Sequence, residues 1–261
     1  IAEINSAELR LYTHGGRELS AGLMPDIDDA LTQIPILLQD GGDGDFDSED
    51  HLTFFGQSVN DWEYDLNDSR WEHYTNPYTY ENVYWLSWDV RSEPAFHTDL
   101  LNQGLSAVRS QTTGIKLQKI ENDIANPISS GRDWYGRELT TSDPQAQYTF
   151  NLDLAEGVSD GRLRLKLVAK TPGQHTVSVD VNGQLVRNYR FFGLSSFPGY
   201  LSLANQFFSS TIDRASLAAE NTVTLNFSST LSTGRAYVDW LEFTTKDVLN
   251  EVDGVVTFTS D

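Results

Sequence analysis

Polar and apolar residues alternate with a period of two through much of the second half of this chain, and that period most limits its fold. In Arg162-Leu-Arg-Leu-Lys-Leu-Val168, the residues Leu163, Leu165 and Leu167 fall on one side and the basic residues on the other. A helix would scatter these leucines around its circumference, whereas a strand sets them on one face. Tyr148, Phe150, Leu152 and Leu154 repeat the pattern, as do Val177, Val179 and Val181. Asn182-Gly183 then supplies two residues that accept positive φ, so a tight hairpin should return at Gln184-Leu-Val186. Thr222-Val-Thr-Leu-Asn-Phe227 and Ala236-Tyr-Val-Asp-Trp-Leu-Glu-Phe243 continue the series. Short strands joined by polar turns predict an antiparallel, jelly-roll-like β-sandwich. Helical signals are confined to residues 25–31 and 213–219, the latter with Asp213 as an N-cap. Neither is long enough to build a helical layer.

The first part of the chain has a different texture. Short apolar runs at residues 9–12, 34–38, 52–55 and 83–90 are separated by acidic loops, which reads as a small β-domain. A chain of 261 residues can bury one large core or two modest ones, and two fit this change of texture better. The expected division is all-β throughout: an N-terminal β-domain over 1–113, a sandwich over 114–247 and a linker over 248–261 with one short strand at 255–258. The polar stretch 92–142 is expected to hold the crossing between the two domains.

Six carboxylates crowd into Asp40-Gly-Gly-Asp-Gly-Asp-Phe-Asp-Ser-Glu-Asp50, and no Lys or Arg occurs between Arg17 and Arg70. Like charges at that density need water or a cation among them. Asp43, Asp45 and Asp47 recur at every second residue, and glycines at 41, 42 and 44 relax the backbone. This suits calcium, which takes six to eight oxygens from carboxylates and carbonyls. The candidate ligands are Asp40, Asp43, Asp45, Asp47 and Asp50. The EF-hand register is not met: with Asp43 first, Ser48 replaces the expected glycine and Phe54 the terminal acid. With Asp43, Asp47 and Asp50 at positions five, nine and twelve, Gln39 and Gly41 occupy the leading ligand places. A solvated acidic turn that blocks edge pairing is the competing reading.

Charge and composition exclude several classes. The formal charge of −20 argues against nucleic acid and anionic lipid as partners. An acidic surface with five lysines against thirteen arginines also suits high salt, where screening relieves self-repulsion, and it suits an ordinary acidic extracellular domain equally well. No apolar stretch is long enough to span a membrane. The start at Ile1-Ala-Glu-Ile-Asn has no signal-peptide pattern, so the expectation is a cytosolic protein or one whose leader has been removed. Without cysteine, disulfides, thiolate zinc sites and a cysteine nucleophile are all excluded within this chain.

Aromatic residues cluster from Trp62 to Trp88. Alternation along Val83-Tyr-Trp-Leu-Ser-Trp-Asp-Val90 puts Tyr84, Leu86, Trp88 and Val90 on one face and Trp85 on the other. These side chains are expected to fill a core or a domain interface. An exposed Trp85 would instead offer a sugar a stacking face, as in a carbohydrate-binding module or adhesin. The five histidines stand in no nucleophile context, and no carboxylate pair is singled out for glycoside hydrolysis. His51, beside Asp50, is read as an exposed loop histidine in preference to a metal ligand. Asp239 is expected on the same side of its strand as Tyr237, Leu241 and Phe243, where it needs a partner.

Four stretches together carry a resemblance. They are Leu11-Tyr-Thr-His-Gly-Gly-Arg17 with Met24-Pro25; Gln39 to Gln57 through the acidic loop; Glu121 to Glu138, with its Ser-Gly-Arg and Trp-Tyr-Gly cores; and Glu220 to Leu225 with Ala236 to Phe243. In this order they resemble the amino-terminal region of the PorU-like sortases of the type IX secretion system, gingipain-related cysteine peptidases exported by Bacteroidetes-type bacteria. The acidic loop matches through Asp40, Gly41, Gly42, Asp43, Gly44, Phe46, Asp47 and Asp50. The resemblance implies a non-catalytic accessory or propeptide-like region, secreted or at the outer-membrane surface, with the family's catalytic Cys and His expected just downstream. Its implied partners are a gingipain-like peptidase domain of the same protein and other secretion-system components.

Overall fold

A computed structural model describes residues 4–18, 31–67, 69–91, 93–98, 113–129, 133–152, 159–194 and 203–248. The chain divides into two compact units, Ile1–Ser106 and Ala107–Asp261. Both are built from β-strands, with short 3-10 turns at Ser6–Glu8 and Arg214–Ser216 as the helical pieces among the described residues.

In the first unit, strand β1 (Arg10–Thr13) lies between β2 (Thr32–Ile34) and β7 (Tyr84–Ser87), antiparallel to both. Strand β3 (Ile36–Gln39) lies between β4 (His51–Phe54), antiparallel, and β8 (His97–Thr98), parallel. A separate hairpin pairs β5 (Asp61–Asp65) with β6 (Arg70–Tyr74). The core is small: Leu9, Leu11 and Ile36, with Ile34, Leu38, Phe46, Leu52 and Tyr84 packed against them. Arg10 is buried yet satisfied, because its guanidinium donates to the carbonyl oxygens of Glu8, Asp89 and Glu93 and to the Glu8 carboxylate.

A core of that size cannot hold the aromatic cluster. The expectation that these rings are buried fails for several of them: Trp85 is 45% exposed, Trp88 52% and Tyr80 86%. Strand β7 also ends at Ser87, so the predicted alternation does not reach Trp88 or Val90.

The second unit is an antiparallel sandwich. One sheet runs β10 (Glu138–Thr140), β17 (Arg235–Val248), β12 (Gly161–Ala169), β15 (Ala204–Ile212), with β9 (Thr113–Glu121) also pairing β17. The other runs β11 (Gln145–Asn151), β16 (Glu220–Ser229), β13 (Gly173–Val181), β14 (Gln184–Gly193). Leu163, Leu165, Leu167, Val177, Val179, Val181, Leu225, Leu241 and Phe243 fill the space between them. The inner faces expected from alternation in β12 and β13 are those observed. The hairpin turn is as read: Asn182 and Gly183 take φ of 51° and 79°.

The segment 92–142, expected to hold the crossing, also contains β9 and β10. The helical signal at 213–219 is one 3-10 turn with Asp213 as its N-cap, the carboxylate accepting from the Ala215 N–H at 2.9 Å. One expectation for the second unit changes: Asp239 does not share a face with Leu241 and Phe243. The ladder with β12 slips one residue between Lys166–Trp240 and Leu167–Val238, leaving Asp239 as the extra residue of a β-bulge. Val238, Leu241 and Phe243 therefore face the core, while Tyr237 packs outside with Tyr135 and Val168. The other helical signal lies, apart from Leu31, outside the described residues, as does the strand expected at 255–258.

Candidate functional site

The acidic loop joins β3 to β4 and is tied to the start of the chain. Ser6 N–H donates to the Gly44 carbonyl at 3.0 Å and Phe46 N–H to the Ile4 carbonyl at 2.7 Å. Its carboxylates are occupied locally. Asp40 accepts from Gly42 N–H (3.1 Å), Asp43 from Asp45 N–H (3.1 Å), Asp47 from Glu49 N–H (2.8 Å) and Asp50 from Asp47 N–H (2.6 Å). Such Asx turns explain why Asp and Gly alternate here: the short side chain bonds its own main chain while Gly41, Gly42 and Gly44 take positive φ. The Ser6 hydroxyl donates to Asp40 at 2.6 Å and, with the Gly42 N–H, holds that carboxyl below its usual value. Asp43, Asp45, Asp47 and Glu49 stand exposed in water, as the charge density requires. The loop carboxylates do not converge on one point: among the described residues, three acids come within 4.8 Å of one another elsewhere. His51, beside the loop, is exposed, and Trp85 lies on β7, apart from the loop in sequence.

The loop belongs to a unit whose charge is extreme. Residues 1–106 carry 21 acidic and four basic side chains, a net of −17, which leaves −3 for the rest of the chain. Nearly all of the imbalance read from composition therefore sits in one unit.

The converging acids are Glu121, Asp123 and Asp239, in the second unit. Strands β9 and β10 both pair with β17, β9 with residues 240–248 and β10 with 235–237. The changeover falls at the bulge, where Gly136 N–H donates to Val238 O and Val238 N–H to Arg137 O, both at 2.9 Å. A Cβ on Gly136 would stand 2.7 Å from the Val238 carbonyl oxygen, so this approach of two main chains requires glycine. Beside it opens a cleft of about 450 Å³, lined among others by Asn122, Ile124, Gly136, Gln145, Gln147 and Asp239.

Electrostatics around the bulge are mixed. Asp239 is 6% exposed and pairs with Lys166 at 2.6 Å, and Lys119 pairs with Glu121. Burial, then the charges of Glu121 and Asp239, raise the Asp123 carboxyl above its ordinary value. Burial pushes the Tyr148 hydroxyl up to about 12, and burial with Asp133 and Asp239 does the same for Tyr135. Neither phenol is an acid near neutral pH. Three carboxylates at this spacing could hold a cation, and with the lysines they could also orient a polar ligand. Asp239 was singled out from sequence for needing a partner. Glu121 and Asp123 were not, because nothing in the sequence joins them to a bulge so far along the chain.

The chain is thus an all-β protein with a jelly-roll-like sandwich as its larger unit. No family model and no curated protein matches its sequence. Among solved structures, dimeric latent PorU from Porphyromonas gingivalis is similar over 94% of this chain and 22% of that one, with 19% identity and a TM-score of 0.62. At that identity the likeness is one of fold. Looser similarity extends to the carbohydrate-binding module CBM36 in complex with calcium and xylotriose, at 18% identity and TM-score 0.35 over 48% of this chain and 98% of that one. A CBM35 module from Cellvibrio japonicus gives 14% identity and TM-score 0.29 over 58% and 94%. The chain shares the PorU fold and spans about a fifth of that protein's length.

Proposed function

We propose that this chain is a non-catalytic accessory region of a gingipain-related, PorU-like protein of the type IX secretion system, secreted or held at the cell surface. The observation that carries the reading is the fold likeness to PorU across 94% of the chain. The sequence motifs around the acidic loop and at Glu121 to Glu138 support it independently. With no cysteine in the chain, a gingipain-type thiolate has to come from elsewhere in the protein. In this reading residues 1–113 and 114–247 are two supporting β-domains, and 248–261 leads toward the peptidase domain. They pack against that domain, position it or restrain it as a propeptide does, and other secretion-system components are further partners. The gene tests this directly. A reading frame that runs on into a Cys- and His-bearing α/β domain is the expected result, and a stop codon directly after Asp261 overturns it.

Calcium enters as a proposed ligand of the acidic loop, with Asp40, Asp43, Asp45, Asp47 and Asp50 turning from main-chain N–H groups to the ion. Titration calorimetry should then show heat at millimolar calcium, lost on Asp43→Asn with Asp47→Asn. A second reading, a carbohydrate-binding module or adhesin, draws on the exposure of Trp85. Glycan-array binding abolished by Trp85→Ala would favour it.

A further inference from the structure

Strand β11 is the outermost strand of its sheet and pairs only with β16 among the described residues. Its parity is fixed at both ends. Pro144 O accepts from Phe227 N–H at 2.9 Å, and Leu152 N–H donates to Ala219 O at 2.8 Å. Even-numbered residues therefore turn their main-chain groups toward β16, and odd-numbered ones turn theirs away. Asn151 confirms this, because its carbonyl accepts from the Gln118 side chain at 2.8 Å on the outward side. Gln145, Gln147 and Thr149 are left with outward N–H and C=O groups that meet no hydrogen-bond partner among the described residues. All three are exposed, and Gln145 and Gln147 line the cleft described above.

An unpaired edge opening into water would be unremarkable in itself, since many sheets have one. This edge instead forms one wall of a cleft whose other side is built from Asn122, Ile124, Gly136 and the bulge at Asp239. Donors and acceptors repeating at every second residue along one wall match the main chain of an extended peptide. Tyr148, Ile120 and Ile124 add apolar surface for its side chains. The charged residues that line the cleft are Asp239, which pairs with Lys166, and Arg137, which pairs with Asp143, so a peptide with uncharged side chains suits it best. We propose that the β11 edge is a strand-addition site, and that its occupant is an extended peptide whose alternate residues are apolar and face Tyr148, Ile120 and Ile124. The inference goes beyond the accessory-region reading and rests on the second unit alone.

The test uses the full 261-residue chain and a labelled hexapeptide of alternating threonine and valine, followed by fluorescence polarisation. Saturable binding is expected, with slowed amide exchange at Gln145, Gln147 and Thr149. Gln147→Pro removes one outward N–H while leaving the β16 ladder intact, and proline is tolerated on edge strands. It should weaken binding by about tenfold, as loss of one main-chain bond and its neighbour implies, whereas Gln147→Thr should bind like the parent. Should the proline variant fail to fold, a peptide N-methylated at alternate residues replaces it and should bind at least about tenfold more weakly. A peptide with serine in place of each valine should bind severalfold more weakly, and equal binding would overturn the apolar contact with the cleft. Absence of binding at millimolar peptide overturns the proposal. So does equal binding of the N-methylated peptide, or a saccharide mixture that binds in the cleft while the peptide does not.

Discussion

His175 shows how a polar side chain survives at the centre of the sandwich. It is fully buried, with Nε2 2.8 Å from the Thr171 carbonyl oxygen and Nδ1 2.9 Å from the Ser229 hydroxyl. A carbonyl only accepts, so Nε2 carries the hydrogen and the Ser229 hydroxyl donates to Nδ1. The ring also lies against Phe191 and Phe227, at 5.3 and 5.4 Å between centroids. His175→Ala removes both bonds and the ring contacts, and should cost about 3 kcal/mol in chemical denaturation. Gly161 is constrained in another way. A Cβ there would stand 2.3 Å from the Phe243 ring, so Gly161→Ala should lower stability by about 1–3 kcal/mol, read from the denaturation midpoint. Sequence reading passed over the glycine and weighed the histidine only as a catalytic partner. The histidine sits at the start of a legible strand, but its partners come from two other segments.

At the level of elements, Glu138 ties β10 to its neighbours. It accepts from Arg235 at 2.7 Å and from Lys170 at 3.4 Å. Burial pulls its carboxyl upward, but the hydrogen bonds from Arg235 and Tyr237 and the charge of Lys170 bring it below its ordinary value. A carboxyl lowered on folding stabilises the protein above its unfolded value, and that contribution disappears as pH falls through the lowered one. Glu138→Gln should therefore cost up to about 1 kcal/mol at pH 7, since water still reaches the group, and far less at pH 3. Comparing urea midpoints at the two pH values checks this. Legibility also differs strand by strand. Strands β12 and β13 were readable because Leu163, Leu165 and Leu167 fill the inward positions of one and Val177, Val179 and Val181 those of the other, with His175 the exception. Strand β9 was not, because the positions sharing a side with inward-facing Ile120 are Lys116 and Gln118, which break the alternation. The bulge at Asp239 was invisible for a related reason: a periodic reading carries one register through the whole strand, and one extra residue reverses everything beyond it.

Across the whole molecule, the charge split is the property that sequence composition averaged away. A net of −17 on residues 1–106 repels itself, and screening relieves that repulsion. Raising sodium chloride from 10 mM to 1 M should lift the melting transition of the first unit by about 5 °C, with little change in the second. Scanning calorimetry of the full chain reads both, and parallel shifts would show that the imbalance does not govern stability. The texture changes from acidic loops to regular alternation between the two units, Ile1–Ser106 and Ala107–Asp261. The fate of the aromatic residues was not legible, because hydrophobicity alone does not say how much core exists to receive them. Those exposed rings belong to the same unit as the charge, and the pairing has a practical consequence. In dilute buffer, mutual repulsion keeps copies of the protein from sticking through their tryptophans and tyrosines. Concentrated salt removes that barrier while strengthening the attraction between rings, so the protein should self-associate as ionic strength rises, the reverse of complexes held by opposite charges.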